Sequence, residues 1–427
     1  MNNLNFLVDV LKESPVFKTL EKNVKPGRTV CASGLSTINK SNIIYALCRL
    51  KGVTAFCLAS DEKEAQTLCN DLSCMGLRAY VYPVRDFNFL DFQSRSHEYE
   101  HARLKVLLKL INHECDVAIA CVDAAAQLTV PRSVLEQSVI EFEEGRELSL
   151  EKATKALTLL GYERFDAVEG SGQFSLRGGI LDFFMPDSDY PVRCEFWGDE
   201  ITDLSYFDIE TQRRFKKADK ITLSPSTEIV IEDRAALADK IEHKAKLLRS
   251  KNSAKAKEKL FSEAELIRSG AMIANADKFI NQIYDKPESL FDYLDRNTLV
   301  FASEFTAIQE RGKSMDFISN ETLMQGFEDG TLCRGFDRFA LTFNECTEFL
   351  QSHGTIVLEN FVHGSMPIKL SEIISFSTKQ LSAWGGSYKQ LKEDVDGLFT
   401  PESKGVIFAG TERAAKNLCD TFNADGI

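Results

Sequence analysis

The sequence predicts a multidomain α/β protein, with a parallel, doubly wound sheet, a small α+β insert and a further α/β unit towards the C-terminus. Three observations carry this. Strand and helix signals alternate through the first 125 or so residues. The strands there are near-continuous apolar runs, as in sheets covered on both faces. From about residue 150 the texture becomes one helix followed by short alternating strands and glycine turns. At 427 residues the chain exceeds one typical core, so roughly two to four domains are expected.

The elements justify themselves in order. Leu4, Phe6, Leu7, Val10 and Leu11 are spaced as the apolar stripe of a short N-terminal helix. RTVCAS is a short strand ending at a small-residue loop, and SNIIYALCRLKG is a helix that closes on Gly52. VTAFCLAS is a second strand. DEKEAQTLCNDLSCMG is a helix with Asp61 as N-cap and Gly76 just past its end. AYVYPV, then EYEHARLKVLLKLINH, then DVAIACVDA continue the strand–helix–strand pattern. In the insert, LEKATKALTLLGY is helical, and GQFSLRGG, ILDFFMP, YPVRCEFWGDE and ITDLSYFD read as an antiparallel set. Residues 233–295 read as helical, and DRNTLVFASE as another buried strand. From about 350, GTIVLEN and KGVIFAG are strands and TERAAKNLCDTFNADG a helix. The chain ends right after that helix, which reads as a fragment of something longer.

Composition narrows the function classes. With 44% hydrophobic and 27% charged residues, the chain has the balance of a soluble globular protein. No uncharged apolar run reaches membrane-spanning length, and no membrane partner is expected. The N-terminus lacks the basic start and cleavage site of a signal peptide, so a cytoplasmic location is expected. Eleven cysteines form no C-x-x-C pair and mostly sit in apolar runs, as reduced buried thiols do. Six histidines without ligand-like clustering argue against zinc. The net charge of −13 makes the whole chain a poor non-specific nucleic-acid binder. The basic run from Lys240 to Lys259 reads as the solvated face of a long helix.

One loop bears on catalysis. In CASGLSTINKSNIIY, Gly34, Asn39, Lys40 and Ser41 match G-x-x-x-x-G-K-[ST] at every defined position except the second glycine. Such a loop wraps phosphates with backbone N–H groups at a helix N-terminus. Asn tolerates a left-handed conformation better than most residues, so Asn39 is expected to hold the turn while its side chain intrudes where phosphate oxygens lie. Lys40 and Ser41 keep the types that meet phosphate and Mg²⁺. Hydrolysis also needs an apolar strand ending in Asp-Glu. The best candidate, Thr298 to Phe305, has Ser303 and Glu304 there, and a serine cannot supply the charge that anchors Mg²⁺. The expectation is a P-loop NTPase-type fold with no ATP or Mg²⁺ cofactor and no enzymatic activity of its own. The alternative is an active ATP-dependent DNA helicase or translocase module.

The most specific stretch runs from Tyr162 to Pro186 and from Val192 to Glu200. Its YER-x-D, G-x-F-x-x-RG and VR-x-EF-x-GDEI patterns resemble the N-terminal part of bacterial transcription-repair coupling factors (Mfd). The same block resembles the UvrA-binding domain of UvrB. The likeness extends through YPVRDFNFLDFQSRSHEYEHARLKVLLKL, SYKQLKEDV and KGVIFAGTERAAKNL.

This resemblance implies a RecA-like, UvrB-type lobe that is catalytically degenerate, with an insert that docks on UvrA and recruits excision repair to a stalled polymerase. The implied divisions are 1–128 with 223–345 for the lobe and its helical return, 129–222 for the UvrA-binding insert, and 350–427 for a further α/β domain. Contacts with RNA polymerase and DNA, and the translocase motor, are implied only for regions beyond residue 427. The UvrB β-hairpin that threads DNA has no room here. Phe87, Phe89 and Phe92 fall at its place and are expected to pack on the core. Arg164 and Arg177 match two arginines of the UvrB interface motif, a third falls at Ser175, and Phe184 matches an apolar residue near the same surface. In GQFSLRGG, Phe174 and Leu176 alternate with Ser175 and Arg177, so Arg177 is expected to project away from the core, with Arg164 on the same face. Arginine suits such a surface because its planar fork grips carboxylates. The competing expectation is pairing of these arginines with Glu163, Glu169 or Asp182 within the domain.

Overall fold

The computed structural model describes residues 5–85, 97–248, 253–270, 276–361, 366–378, 385–398, 400, 407, 409 and 411–426. In chain order its strands are β1 (Val30–Ser33), β2 (Ala55–Ala59), β3 (Ala79–Val81), β4 (Val117–Cys121), β5 (Ile140–Glu143), β6 (Glu163–Arg164), β7 (Gln173–Arg177) and β8 (Ile180–Phe183). They continue with β9 (Val192–Trp197), β10 (Glu200–Phe207), β11 (Arg214–Lys217), β12 (Lys220–Leu223), β13 (Leu299–Ser303), β14 (Thr355–Leu358) and β15 (Glu372–Ser375).

Among the described residues, seven strands form one parallel sheet in the order β15-β1-β14-β13-β2-β4-β3. Its inner strands β1, β14, β13, β2 and β4 are buried on both faces, which is why they read as continuous apolar runs. Side chains alternate between two cores: Phe56 and Leu58 face one, Ala55, Cys57 and Ala59 the other. Helices cover both sides, so the expected doubly wound, RecA-like lobe is present. Helix boundaries follow the local chemistry. The Asp61 carboxylate accepts the Glu64 amide at 2.7 Å. Gly52 ends the helix Thr37–Lys51 at φ +62°, where a Cβ would be strained. The N-terminal stripe resolves into two helices, Asn5–Glu13 and Pro15–Asn23, because Ser14 caps a new start and Pro15 occupies its first turn.

The strand in GTIVLEN differs from the expectation of a separate unit beginning at 350. β14 lies between β1 and β13 of the first sheet, with Ile356 opposite both Val30 and Phe301. A buried TIVL run pairs wherever its ladder partners lie, and sequence periodicity does not say which sheet that is. Most of KGVIFAG, and Phe87, Phe89 and Phe92, lie outside the described residues.

The insert is a second body of structure. Its sheet runs β11-β10-β9-β8-β7-β6 and is antiparallel except for the parallel β6–β7 pair. β5 and β12 make a short ribbon where the chain enters and leaves. Phe142, Leu157, Phe174, Leu181, Phe183 and Cys194 form its core. The helix Glu98–Ile111 ties insert to lobe. Arg103, fully buried, donates to both carboxylate oxygens of Glu228 at 2.6 and 3.3 Å. One turn earlier, Glu100 accepts from the Thr227 hydroxyl and the Glu228 amide, both at 2.8 Å. The chain leaving the insert is thereby fastened to the lobe.

Candidate functional site

The loop after β1 and the end of β13 come together, as the two motif fragments require, but the loop is closed on itself. Gly34 has φ +79°, and a Cβ there would stand 2.1 Å from the Phe376 carbonyl oxygen. The residue is needed for passage of the β15 end, whatever else it does. Its amide donates to the Asn360 carbonyl at 3.2 Å, and the Leu35 amide donates to the Glu359 carbonyl at 3.1 Å. Ser36 caps the following helix, which begins at Thr37. Asn39 therefore sits in the first helical turn and not in a left-handed turn, which corrects the expectation for that position. Its side-chain amide donates to the Ser36 hydroxyl at 2.8 Å. The Ser36 carbonyl already accepts the Asn39 and Lys40 amides at 3.0 and 3.1 Å, so the chain turns helical before the second-glycine position.

Lys40 is buried, and its ammonium is answered from within the protein. It donates to Ser303 Oγ at 3.0 Å and to Glu304 Oε1 at 2.5 Å, with Glu64 Oε1 at 3.5 Å. Ser303 Oγ in turn donates to Glu64 Oε1 at 2.5 Å. Ser41 Oγ donates to Asp71 Oδ2 at 2.9 Å. Glu304 adopts φ +56°, ψ +65°, an uncommon conformation for a residue with a side chain. From there Glu304 Oε1 also accepts the Asn360 amide at 3.0 Å.

Two members of this cluster were not singled out from the sequence. Glu64 is held by its helix start, where Glu64 Oε2 accepts the Ser60 amide at 2.8 Å. The Asp61-x-x-Glu64 spacing is a capping pattern that would have located it. Glu359 directly follows β14 and is fully buried; only an acid just past an apolar strand hints at it. Its Oε1 accepts the Phe305 amide at 2.8 Å, while Oε2 has no partner among the described residues. Burial, with the nearby Glu304 carboxylate, pushes the Glu359 carboxyl up to about 7. Glu64 and Glu304 thus meet one ammonium, and Glu359 lies close enough to feel both Glu304 and Lys40. An incoming triphosphate would meet surplus negative charge and a lysine already neutralised.

The second cluster lies on the insert's sheet. β7 and β8 pair Ser175 with Asp182 and Phe174 with Phe183. Phe174 and Phe183 face the core, so Ser175, Arg177 and Asp182 occupy the other face, as the alternation predicts. Arg177 Nη2 donates to Asp182 Oδ2 at 2.9 Å, yet its side chain stays 52% exposed. Of the three expected internal partners, Asp182 is the one used. Arg164 is exposed, but β6 sets it in register with Phe174. The register thus assigns it to the core-side face at the sheet edge, opposite to Arg177. The reason is the parallel β6–β7 pairing, which separation along the chain did not reveal. Ser175 is buried, and its hydroxyl donates to the Asp166 carbonyl at 2.9 Å. Phe183 fills the core, and Phe184, one residue past the strand, is half-buried.

Comparison with known proteins agrees with the resemblance read from the sequence. Residues 140–229 match the family described as the UvrB interaction domain. The chain is similar to the transcription-repair-coupling factor of Bacillus subtilis (strain 168), with 26% identity over 97% of this chain and 36% of that protein. It is likewise similar to the factors of Staphylococcus epidermidis (strain RP62A), 24% identical over 81% of this chain and 30% of that protein, and Staphylococcus aureus (strain MRSA252), 21% identical over 97% and 36%. The chain spans about a third of the length of these curated relatives. No helix among the described residues is long and apolar enough to cross a membrane.

Two outcomes are expected of the Lys40 cluster. Lys40→Met leaves buried carboxylates without their counter-ion, and removing one partner of a buried pair costs roughly 3 kcal/mol; urea unfolding at neutral pH should register that loss, and a change below about 1 kcal/mol would contradict the counter-ion role. Glu359 gives a pH signature. Its carboxyl holds a proton in the folded state up to about 7, against 4.5 as the ordinary value. The native state therefore binds more protons than the unfolded state between those values, and stability declines as pH rises through that window. Glu359→Gln should remove this decline and raise the melting temperature at pH 8; an unchanged pH profile would count against it.

Proposed function

We propose that this chain is a recruiting module: the RecA-like lobe serves as a scaffold without nucleotide turnover, and the insert binds UvrA. The observation that carries the reading is the solvent-facing guanidinium of Arg177, braced on a buried carboxylate within the segment similar to the UvrB interaction domain. The relatives' name, transcription-repair-coupling factor, supports a place in excision repair coupled to transcription. Arg177, Arg164 and Phe184 form the contact surface, with the arginines approaching from the two faces of one sheet edge. Ser175 supports the loop at Asp166 instead of reaching a partner. In this reading no ATP or Mg²⁺ is used by the chain, because Lys40 and Ser41 are committed to internal carboxylates.

The remaining parts of the proposal concern the longer protein. RNA polymerase, DNA and a translocase motor act through regions beyond residue 427, in the cytoplasm. Residues 1–128 with 223–345, joined by the strands β14 and β15, act as the lobe, 129–222 as the insert, and the chain after β15 as a further unit.

Charge reversal tests the reading. Arg177→Glu should abolish capture of purified UvrA while the chain stays folded, because Arg193 keeps Asp182 paired with two bonds. Full binding by the variant carrying both Arg164→Glu and Arg177→Glu would place the interface elsewhere.

A further inference from the structure

We infer that Asp182 is the positioning residue of this surface, holding Arg177 in the conformation that receives an acidic side chain of the partner. The inference rests on the UvrA-binding reading and adds a residue that touches no partner itself.

The carboxylate of Asp182 is 1% exposed and is shared by two arginines. Arg193, from the neighbouring strand, grips it with two bonds: Nε to Oδ1 at 2.7 Å and Nη2 to Oδ2 at 2.8 Å. Arg193 is itself fixed. Its guanidinium lies 4.4 Å from the centre of the Phe207 ring and donates to the carbonyl and side-chain oxygens of Gln212, each at 3.1 Å. Asp182 is thus nailed in place before Arg177 is considered.

Arg177 then adds a single bond, Nη2 to Oδ2. Its Nε and Nη1 have no partner among the described residues, so an edge of the guanidinium stays open to solvent. Charge counting points the same way. One carboxylate faces two guanidinium groups, and Arg193 spends its donors inward. The surplus positive charge is presented at Arg177, where a partner carboxylate can be taken side-on. Without the brace, a long arginine side chain must be ordered when the partner binds, which weakens binding.

The test is a double-mutant cycle read as the dissociation constant for purified UvrA, with Arg177→Ala, Asp182→Asn and both together. Asp182→Asn should weaken binding about threefold to tenfold, the size expected for ordering one rotamer-rich side chain. It should have no further effect once Arg177→Ala is present, because the brace then has nothing to hold. An equal loss in both backgrounds would mean a merely structural role, and unchanged binding by Asp182→Asn would equally overturn the inference. Normal binding by Arg177→Ala would instead refute the underlying surface. Should Asp182→Asn fail to fold, Arg193→Lys loosens the same carboxylate while keeping its charge partner. Its smaller loss should likewise vanish on the Arg177→Ala background, and persistence there would contradict the proposal.

Discussion

The ammonium of Lys40 is the group on which the lobe's chemistry turns. A phosphate-binding loop needs its lysine and its amides unspent until the ligand arrives. Here both are spent. Glu304, Ser303 and Glu64 take the ammonium, and the carbonyls of Asn360 and Glu359 take the Gly34 and Leu35 amides. The same contacts join β1, β13, β14 and the helix Glu62–Cys74 at one end of the sheet. The loop and its lysine thereby tie three strands and a helix together. Its surplus of carboxylates is tolerated because Glu359 can keep its proton near neutral pH.

The insert follows a different rule. Its core face is apolar and self-sufficient, and its outer face is built from ion pairs around one buried carboxylate. Buried ion pairs contribute little net stability, but they hold long side chains in one geometry. The fastening by Arg103 and Glu100 to the segment after β12 serves the lobe–insert junction in the same manner. Arg103 is fully buried and meets Glu228 in two bonds, so the insert's exit strand is anchored to the lobe helix by direction as well as by area.

The parallel sheet was legible because strands buried on both faces must be apolar throughout, as in VCAS and AFCLA. The insert's strands were legible from two-residue alternation. The meeting of the loop after β1 with the end of β13 was legible too, since the two motif fragments imply each other; the pairing of Lys40 there with Ser303 and Glu304 was not. What was hidden is what depends on register or on distant partners. The order of β14 among its neighbours, the opposite facing of Arg164 and Arg177, and the arrival of Glu359 at Lys40 all depend on ladder geometry that no local pattern encodes. Asn39 misled for a subtler reason. Its tolerance of left-handed backbone was real, but the helix starts at Thr37, before Asn39, and removes the need for it.

The most direct measurement is a calorimetric titration of the intact chain with Mg·ATP, followed by an assay of phosphate release in the presence of DNA. Internal neutralisation of Lys40 predicts no saturable heat and no release above background. One-to-one binding accompanied by DNA-stimulated release would contradict it, and would mean that a triphosphate can displace Glu304 from the ammonium.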